Sequence, residues 1–209
     1  MKYQYILLFL FISVFGFSQN LKPDFKNIEK NLKKTDSPYN YDKLIFKFKG
    51  LPKSLDSIES QYLYYGRNFR DDTVSTLDAE FKSLTEAFKN NNFEDCIRQG
   101  KVLYEKDPTN LDVILILLRA YDSQKDGDNF VHHLSQLRAL TGAIKSSGDG
   151  KSEKTAYYVN SVGDEYILLN MLNIGQDYTR SSKAVKDGMI DIWEKGDEKI
   201  YIKVLYLNV

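Results

Sequence analysis

The order of apolar and polar residues divides the chain near residue 150. Before that point apolar residues recur every three or four positions, as one face of an α-helix requires. Phe25, Ile28 and Leu32 form a short stripe behind Pro23 and Asp24, which suit a helix start. Tyr41, Leu44, Ile45 and Phe48 form a second stripe, broken at Gly50 and Pro52. The spacing predicts a third helix from near Ser54 through Ile58, Tyr62 and Tyr65. Gly66 is expected to end it in the left-handed conformation that glycine adopts at no steric cost. Ser75 with Asp78 predicts a capped start for Leu77, Phe81, Leu84 and Phe88. Asn90-Asn91-Asn92 reads as a turn, and Phe93, Ile97, Gly100 and Leu103 as the next apolar face, closed before Pro108. Thr109 with Asp112 restarts the chain, and Leu111 to Leu118 is apolar almost all round, so it should be the most buried helix. After a turn at Asp126-Gly127-Asp128, Phe130, Leu134, Leu137 and Ile144 mark a further helix. Short connections make these antiparallel hairpins.

Residues 145–154, KSSGDGKSEK, predict an exposed loop. Beyond it the period shortens towards two. Ala156 to Val162 reads as a strand, Gly163-Asp164 as a hairpin turn, and Tyr166 to Leu172 as the returning strand. Ile190 and Ile192 alternate with Asp191 and Trp193, Lys195-Gly196-Asp197 turns, and Ile200, Ile202 and Val204 alternate towards Val209. The expected class is α+β, with helical hairpins followed by a C-terminal antiparallel sheet.

The N-terminus follows neither rhythm. Lys2 precedes an apolar run from Ile6 to Phe15, and Gly16 and Ser18 are small residues flanking Phe17. That is the anatomy of a cleavable export signal, with Gln19 as the new N-terminus. The run is too short for a spanning helix, which needs roughly 20 apolar residues. The expected organisation is a signal at 1–18, a helical region at 19–150 with repeat-like hairpins over about 76–144, and a β region at 151–209. The expected location is periplasmic or secreted, with no membrane span in the mature chain.

Cleavage would leave 28 basic residues against 29 acidic ones, a net charge of −1. Such a chain has no global field to draw it to nucleic acid or anionic lipid. Cys96 is the one cysteine, so stability after export must come from the core rather than from an internal disulfide. Fifteen Tyr and 12 Phe give that core its bulk.

Two resemblances add to this reading. Phe81 to Asn110 resembles a tetratricopeptide repeat: Phe93-Glu94-Asp95-Cys96-Ile97 sits where that repeat opens its second helix, and Asp107-Pro108 where it closes. The repeat's Trp is missing and Leu84 occupies a small-residue position, and one good unit does not make a solenoid. The mature chain also resembles a bacterial family known as domain of unknown function 4919. The resemblance rests on Leu63-Tyr64-Tyr65-Gly66, on the central helical pair, and on Asp164-Glu165-Tyr166 with the terminal Leu207-Asn208-Val209. It implies this architecture and an exported location, and carries no mechanism.

The residues offer little catalytic equipment. His132 and His133, the only histidines, are adjacent and so point about 100° apart on a helix, unable to ligate one metal together. Cys96 falls on an inner helix face, where cysteine behaves as a small hydrophobe. Asp126-Gly127-Asp128-Asn129 is half a calcium loop, but Leu137 stands where the closing acid belongs. No catalytic residue, metal ligand or cofactor-binding residue is assigned, and no cofactor is expected. The acid pairs Asp71-Asp72 and Asp164-Glu165 become acid/base groups only where the environment separates their ionisation.

The most unusual cluster is Tyr62, Tyr64, Tyr65, Arg67 and Asn68. It reads either as core tyrosines with bonded hydroxyls or as a groove with aromatic walls and polar tips. Two functions follow: a non-enzymatic module binding a protein or peptide of the cell envelope, or a carboxylate-dependent envelope hydrolase.

Overall fold

The structure, a computed structural model, describes residues 22–207. The segment expected to be an export signal, the expected cleavage site and the last two residues lie outside that range. Among the described residues eight α-helices precede and interrupt a four-stranded sheet, and the class is α+β.

The expected stripes become helices α1 (Phe25–Leu32), α2 (Tyr41–Gly50) and α3 (Ser57–Gly66). Asp24 and Asn40 cap the first two, each accepting from a backbone N–H three residues on. The third starts later than Ser54 because Asp56 and Glu59 form a reciprocal capping box, satisfying two orphan donors at once. Gly66 is not the left-handed terminator expected. Its φ is −61°, and a Cβ there would lie 2.7 Å from Leu32 Cδ1. It is small because α1 passes close by.

Helices α4 (Ala79–Lys89), α5 (Phe93–Lys106), α6 (Leu111–Ser123) and α7 (Gly127–Ser146) follow, each packed on the next. Asp78 occupies the cap position before α4, so Leu77 lies outside the helix and is 77 % exposed instead of joining the stripe. As the continuous apolar run requires, α6 is buried on most sides, with Val113, Ile114, Leu117 and Ala120 fully enclosed. Burying each large aliphatic side chain contributes roughly 1.5–3 kcal/mol. The loop after α7 is only partly exposed: Ser147, Gly148 and Gly150 are buried, and Gly150 O accepts from Tyr201 N at 2.8 Å.

Strands β1 (Tyr157–Val159), β2 (Thr179–Val185), β3 (Gly188–Lys195) and β4 (Glu198–Leu205) lie in the order β1-β4-β3-β2. The tight turns make β2, β3 and β4 antiparallel as the alternation implies, whereas β1 joins β4 in parallel, so the sheet is mixed. A parallel neighbour needs a long crossover. The expected hairpin at Gly163-Asp164 and the strand at Tyr166–Leu172 do not form. That segment is helix α8 (Val162–Met171), capped by Ser161, whose Oγ accepts from Asp164 N at 3.1 Å. One apolar core runs from Leu44 and Phe48 through α6 to Val159, Ile202 and Val204. Among the described residues, no helix is long and apolar enough to cross a membrane.

Candidate functional site

The tyrosine cluster at the end of α3 faces inward. Tyr62 stacks on Tyr39 with ring centres 4.3 Å apart, and its hydroxyl accepts from Asn27 Nδ2 at 2.9 Å. Tyr65 donates to the carbonyl of Tyr158 at 3.1 Å, and Tyr64 donates to Asp164 Oδ2 at 2.6 Å. Burial pushes both phenols well above their ordinary ionisation range. Arg67, in the short 3₁₀ turn Arg67–Phe69, donates from Nε to buried Asp107 at 2.8 Å and from Nη2 to the carbonyl of Val74 at 2.9 Å. Asn68 donates to Asn160 Oδ1 at 2.6 Å. Arg67 and Asn68 keep partial exposure while the three tyrosines are buried. Tyr64, Tyr65 and Asn68 therefore sit where the helical layer meets β1 and the start of α8, whereas Tyr62 turns to Asn27 and Tyr39 and Arg67 to Asp107 and Val74.

The first turn of α8 carries Asp164 and Glu165. Neighbouring residues on a helix point about 100° apart, so the two acids enter different surroundings. Asp164 faces the helical layer. Beside its bond from Tyr64, the Asn160 backbone donates to the Tyr64 hydroxyl at 3.0 Å and Asn160 Nδ2 donates to the Tyr64 carbonyl at 2.6 Å. Burial is the main force on Asp164 and pushes its carboxyl up from 3.8 to about 6, opposed by the Tyr64 bond and the charge of Arg67. Asp112 lies in the same neighbourhood and is also raised, chiefly by burial.

Glu165 faces the sheet. Trp193 Nε1 donates to its Oε1 at 2.7 Å, and Arg180 Nη2 lies 3.4 Å from its Oε2. Arg180 also pairs with Asp191 at 2.6 Å, and Ser182 donates to the other Asp191 oxygen. Neither carboxylate has any exposed surface, and Glu165 lies within hydrogen-bonding reach of Asp191. One guanidinium faces two buried acids, so full ionisation would leave an uncompensated negative charge. Glu165 Oε2 is the one buried side-chain polar atom without a hydrogen-bond partner among the described residues. A proton retained on Glu165 and directed at Asp191 would satisfy it. Burial, with the Asp191 charge, accordingly lifts Glu165 well above the usual carboxylate range.

This cluster adjoins an open edge. Six of the seven β2 residues are exposed and the seventh is half-buried. Beside the start of β2 lies a cleft of about 450 Å³ lined by Tyr166, Leu169, Asn170, Ile174, Tyr178 and Trp193, among others. Arg180, Asp191, Trp193, Tyr166 and Tyr178 escaped the reading of the sequence as site residues. One signal was available: alternation puts Asp191 and Trp193 on the same strand face, and an acid sharing a face with a packed indole is buried.

The other candidates have local duties. His133 is buried between Tyr104 and Tyr121, its Nδ1 2.7 Å from Gln136 Oε1, and burial lowers its basicity. Cys96 is fully buried and burial pushes its thiol up, away from thiolate. Asp126 caps α7 by accepting from Asn129 N. Asp71 and Asp72 are exposed. Among the described residues, no group of three or more His, Cys, Asp or Glu is placed to hold a metal ion.

The sequence profile of a family described as Domain of unknown function (DUF4919) matches residues 26–209, and the chain belongs to that family. No curated protein and no solved structure matches.

Proposed function

We propose that this member of the DUF4919 family is an exported, non-enzymatic module of the cell envelope that receives an extended segment of an envelope protein along β2. The observation that carries the reading is the sheet edge. An edge strand offers unpaired N–H and C=O groups that an added strand satisfies, and β2 is open along its length. The opposite edge, β1, is three residues long and packed on α7, so addition is directed to β2. Arg180 and Ser182 tie β2 to Asp191 and hold the strand in place before any partner arrives. Export rests on Lys2, the apolar run Ile6–Phe15 and the small residues Gly16 and Ser18.

The hydrolase alternative needs two acids facing one cleft, roughly 5–10 Å apart for a glycoside. Glu165 and Asp191 have no exposed surface to meet a substrate, which favours the binding reading. Two experiments test it. N-terminal sequencing of the protein recovered from outside the inner membrane is expected to begin at Gln19; a retained leader in the membrane fraction refutes export. A photo-crosslinking residue at Lys183 is expected to capture an envelope protein that the same residue at Lys82, on α4, does not. Equal capture at both positions, or at neither, refutes the edge.

A further inference from the structure

We propose that the cleft walled by Tyr166, Tyr178 and Trp193 is the side-chain pocket of this edge, taking an aromatic residue from an acidic extended segment laid along β2. The inference rests on the edge reading and adds the chemistry of the partner.

Position comes first. Tyr178 immediately precedes β2, and Trp193 is the register partner of Arg180, the second residue of that strand. The cleft therefore adjoins the start of the open edge, where strand addition would place a side chain. In this mode of recognition main-chain bonds supply affinity, and pockets for alternate side chains supply selectivity.

The walls fit an aromatic ring. Tyr166, Tyr178 and Trp193 supply π-surfaces, Leu169 and Ile174 supply aliphatic floor, and Asn170 supplies an amide. Aromatic rings favour such edge-to-face and offset contacts, each worth about 0.5–1.5 kcal/mol beyond burial. About 450 Å³ is within the range of small-ligand pockets.

The walls are also held before binding. The Trp193 indole N–H is committed to Glu165, Tyr166 meets the Trp193 ring edge-on at 6.0 Å, and the Arg180 guanidinium lies 5.8 Å from the ring centre. The Tyr178 hydroxyl donates to Glu198 at 2.6 Å, and Lys195 Nζ lies 5.7 Å from the Tyr178 ring centre. The polar tips of Trp193 and Tyr178 are taken by the protein itself, and each of these rings already has a cation close by. Side chains fixed in advance lose little entropy on binding.

Charge selects the flanks. β2 carries no acid, and because Arg180 is committed to Asp191 and Glu165, it is Lys183, with Lys186 just after the strand, that faces a partner. Opposite charges directly across a strand pair are favourable and like charges are not. Lys183 reaches Glu153 at 2.9 Å on an exposed surface, a pair a partner's carboxylate can replace at small cost.

Trp193 is the only tryptophan in the chain, so its emission reports on the cleft alone. The probes are three blocked heptapeptides alternating glutamate and valine, the first with a central phenylalanine, the second with alanine there, the third with lysine replacing every glutamate. The phenylalanine peptide is expected to shift Trp193 emission and move the backbone amide signals of residues 179–185. The alanine peptide should move the same amides at least tenfold more weakly and leave the emission unchanged. The lysine peptide should bind more weakly still. Tyr166→Ala, a change at a half-exposed position, should abolish the preference for phenylalanine while urea unfolding shows the variant still folded. If no peptide moves the β2 amides, the edge reading itself falls. If the phenylalanine and alanine peptides bind β2 equally, the edge stands and this pocket is refuted. Quenching of Trp193 by N-acetylchitotriose, with β2 unmoved by any peptide, would overturn both in favour of a glycan site.

Discussion

Replacing Asp164 with asparagine tests whether the acid beneath Tyr64 is held neutral by burial. The side chain keeps its size and keeps an oxygen for the Tyr64 hydroxyl, but it can no longer ionise. In the wild type the carboxyl ionises near 3.8 when unfolded and near 6 when folded. Between those values the unfolded state has released a proton that the folded state still holds, so unfolding becomes easier as pH rises. The slope is about 1.4 kcal/mol per pH unit, and the whole loss is about 3 kcal/mol. This stability is fully present below pH 4 and gone once pH has passed about 6. Urea unfolding, followed by Trp193 emission from pH 3.5 to 8, measures it. The wild-type advantage over Asp164→Asn is expected to fall by about 3 kcal/mol across that window. Any fixed cost of the substitution shifts the difference without changing its slope, and the titration of Glu165 is common to both proteins and cancels to first order. Parallel curves, with a difference constant to within about 0.5 kcal/mol across the whole pH range, would refute the claim that burial dominates the Arg67 charge and the Tyr64 bond.

Three further substitutions probe neighbouring parts of the argument. Glu165→Gln removes the uncompensated charge beside Asp191, so the variant should melt higher than the wild type at pH 8 and not at pH 4; a gain of equal size at both would contradict the proton-sharing arrangement. Arg67→Met leaves Asp107 buried with the Val74 N–H as its remaining strong donor, and should cost about 3–5 kcal/mol in denaturant unfolding. Gly100→Ala places a Cβ 2.8 Å from Leu117 Cδ2. The overpacking penalty of about 1–3 kcal/mol should outweigh the helix-propensity gain of about 1 kcal/mol, lowering the melting temperature; a rise would show that Leu117 repacks freely.

Helices α1, α2, α5 and α6 were readable because each keeps its buried positions apolar, so the period survives in the sequence. In α8 it does not. Its inward positions are Asp164, Glu165, Leu168 and Leu169, and two acids among four mask the helical stripe. What remained visible was Tyr166-Ile167-Leu168-Leu169, a short apolar run that suits a strand equally well. The deciding signal was Ser161 with an acid three residues on, a helix-start pattern in which the serine caps the helix. Strand β2 was invisible for the opposite reason: an edge strand with both faces largely in water has no alternation to show. The tyrosine cluster stood out by composition, yet what it bonds to did not. Tyr64 meets Asp164 and Asn160 across 100 and 96 residues of chain, and one sequence holds no trace of contacts that distant.

The spacing of the two acids on α8 ties the molecule's halves into a single phase. Asp164 answers to α3 and Glu165 to β2 and β3, and a single peptide unit separates them. A residue inserted just after Ser161 would turn the helix by about 100°, carrying Asp164 round to the indole and Glu165 on to the place of Tyr166, and leaving Gly163 beneath the phenol. Neither half could correct this without breaking with the other. Lengthening is therefore tolerable in the connection between α8 and β2 and forbidden at the entry to α8, which works as the molecule's timing pin.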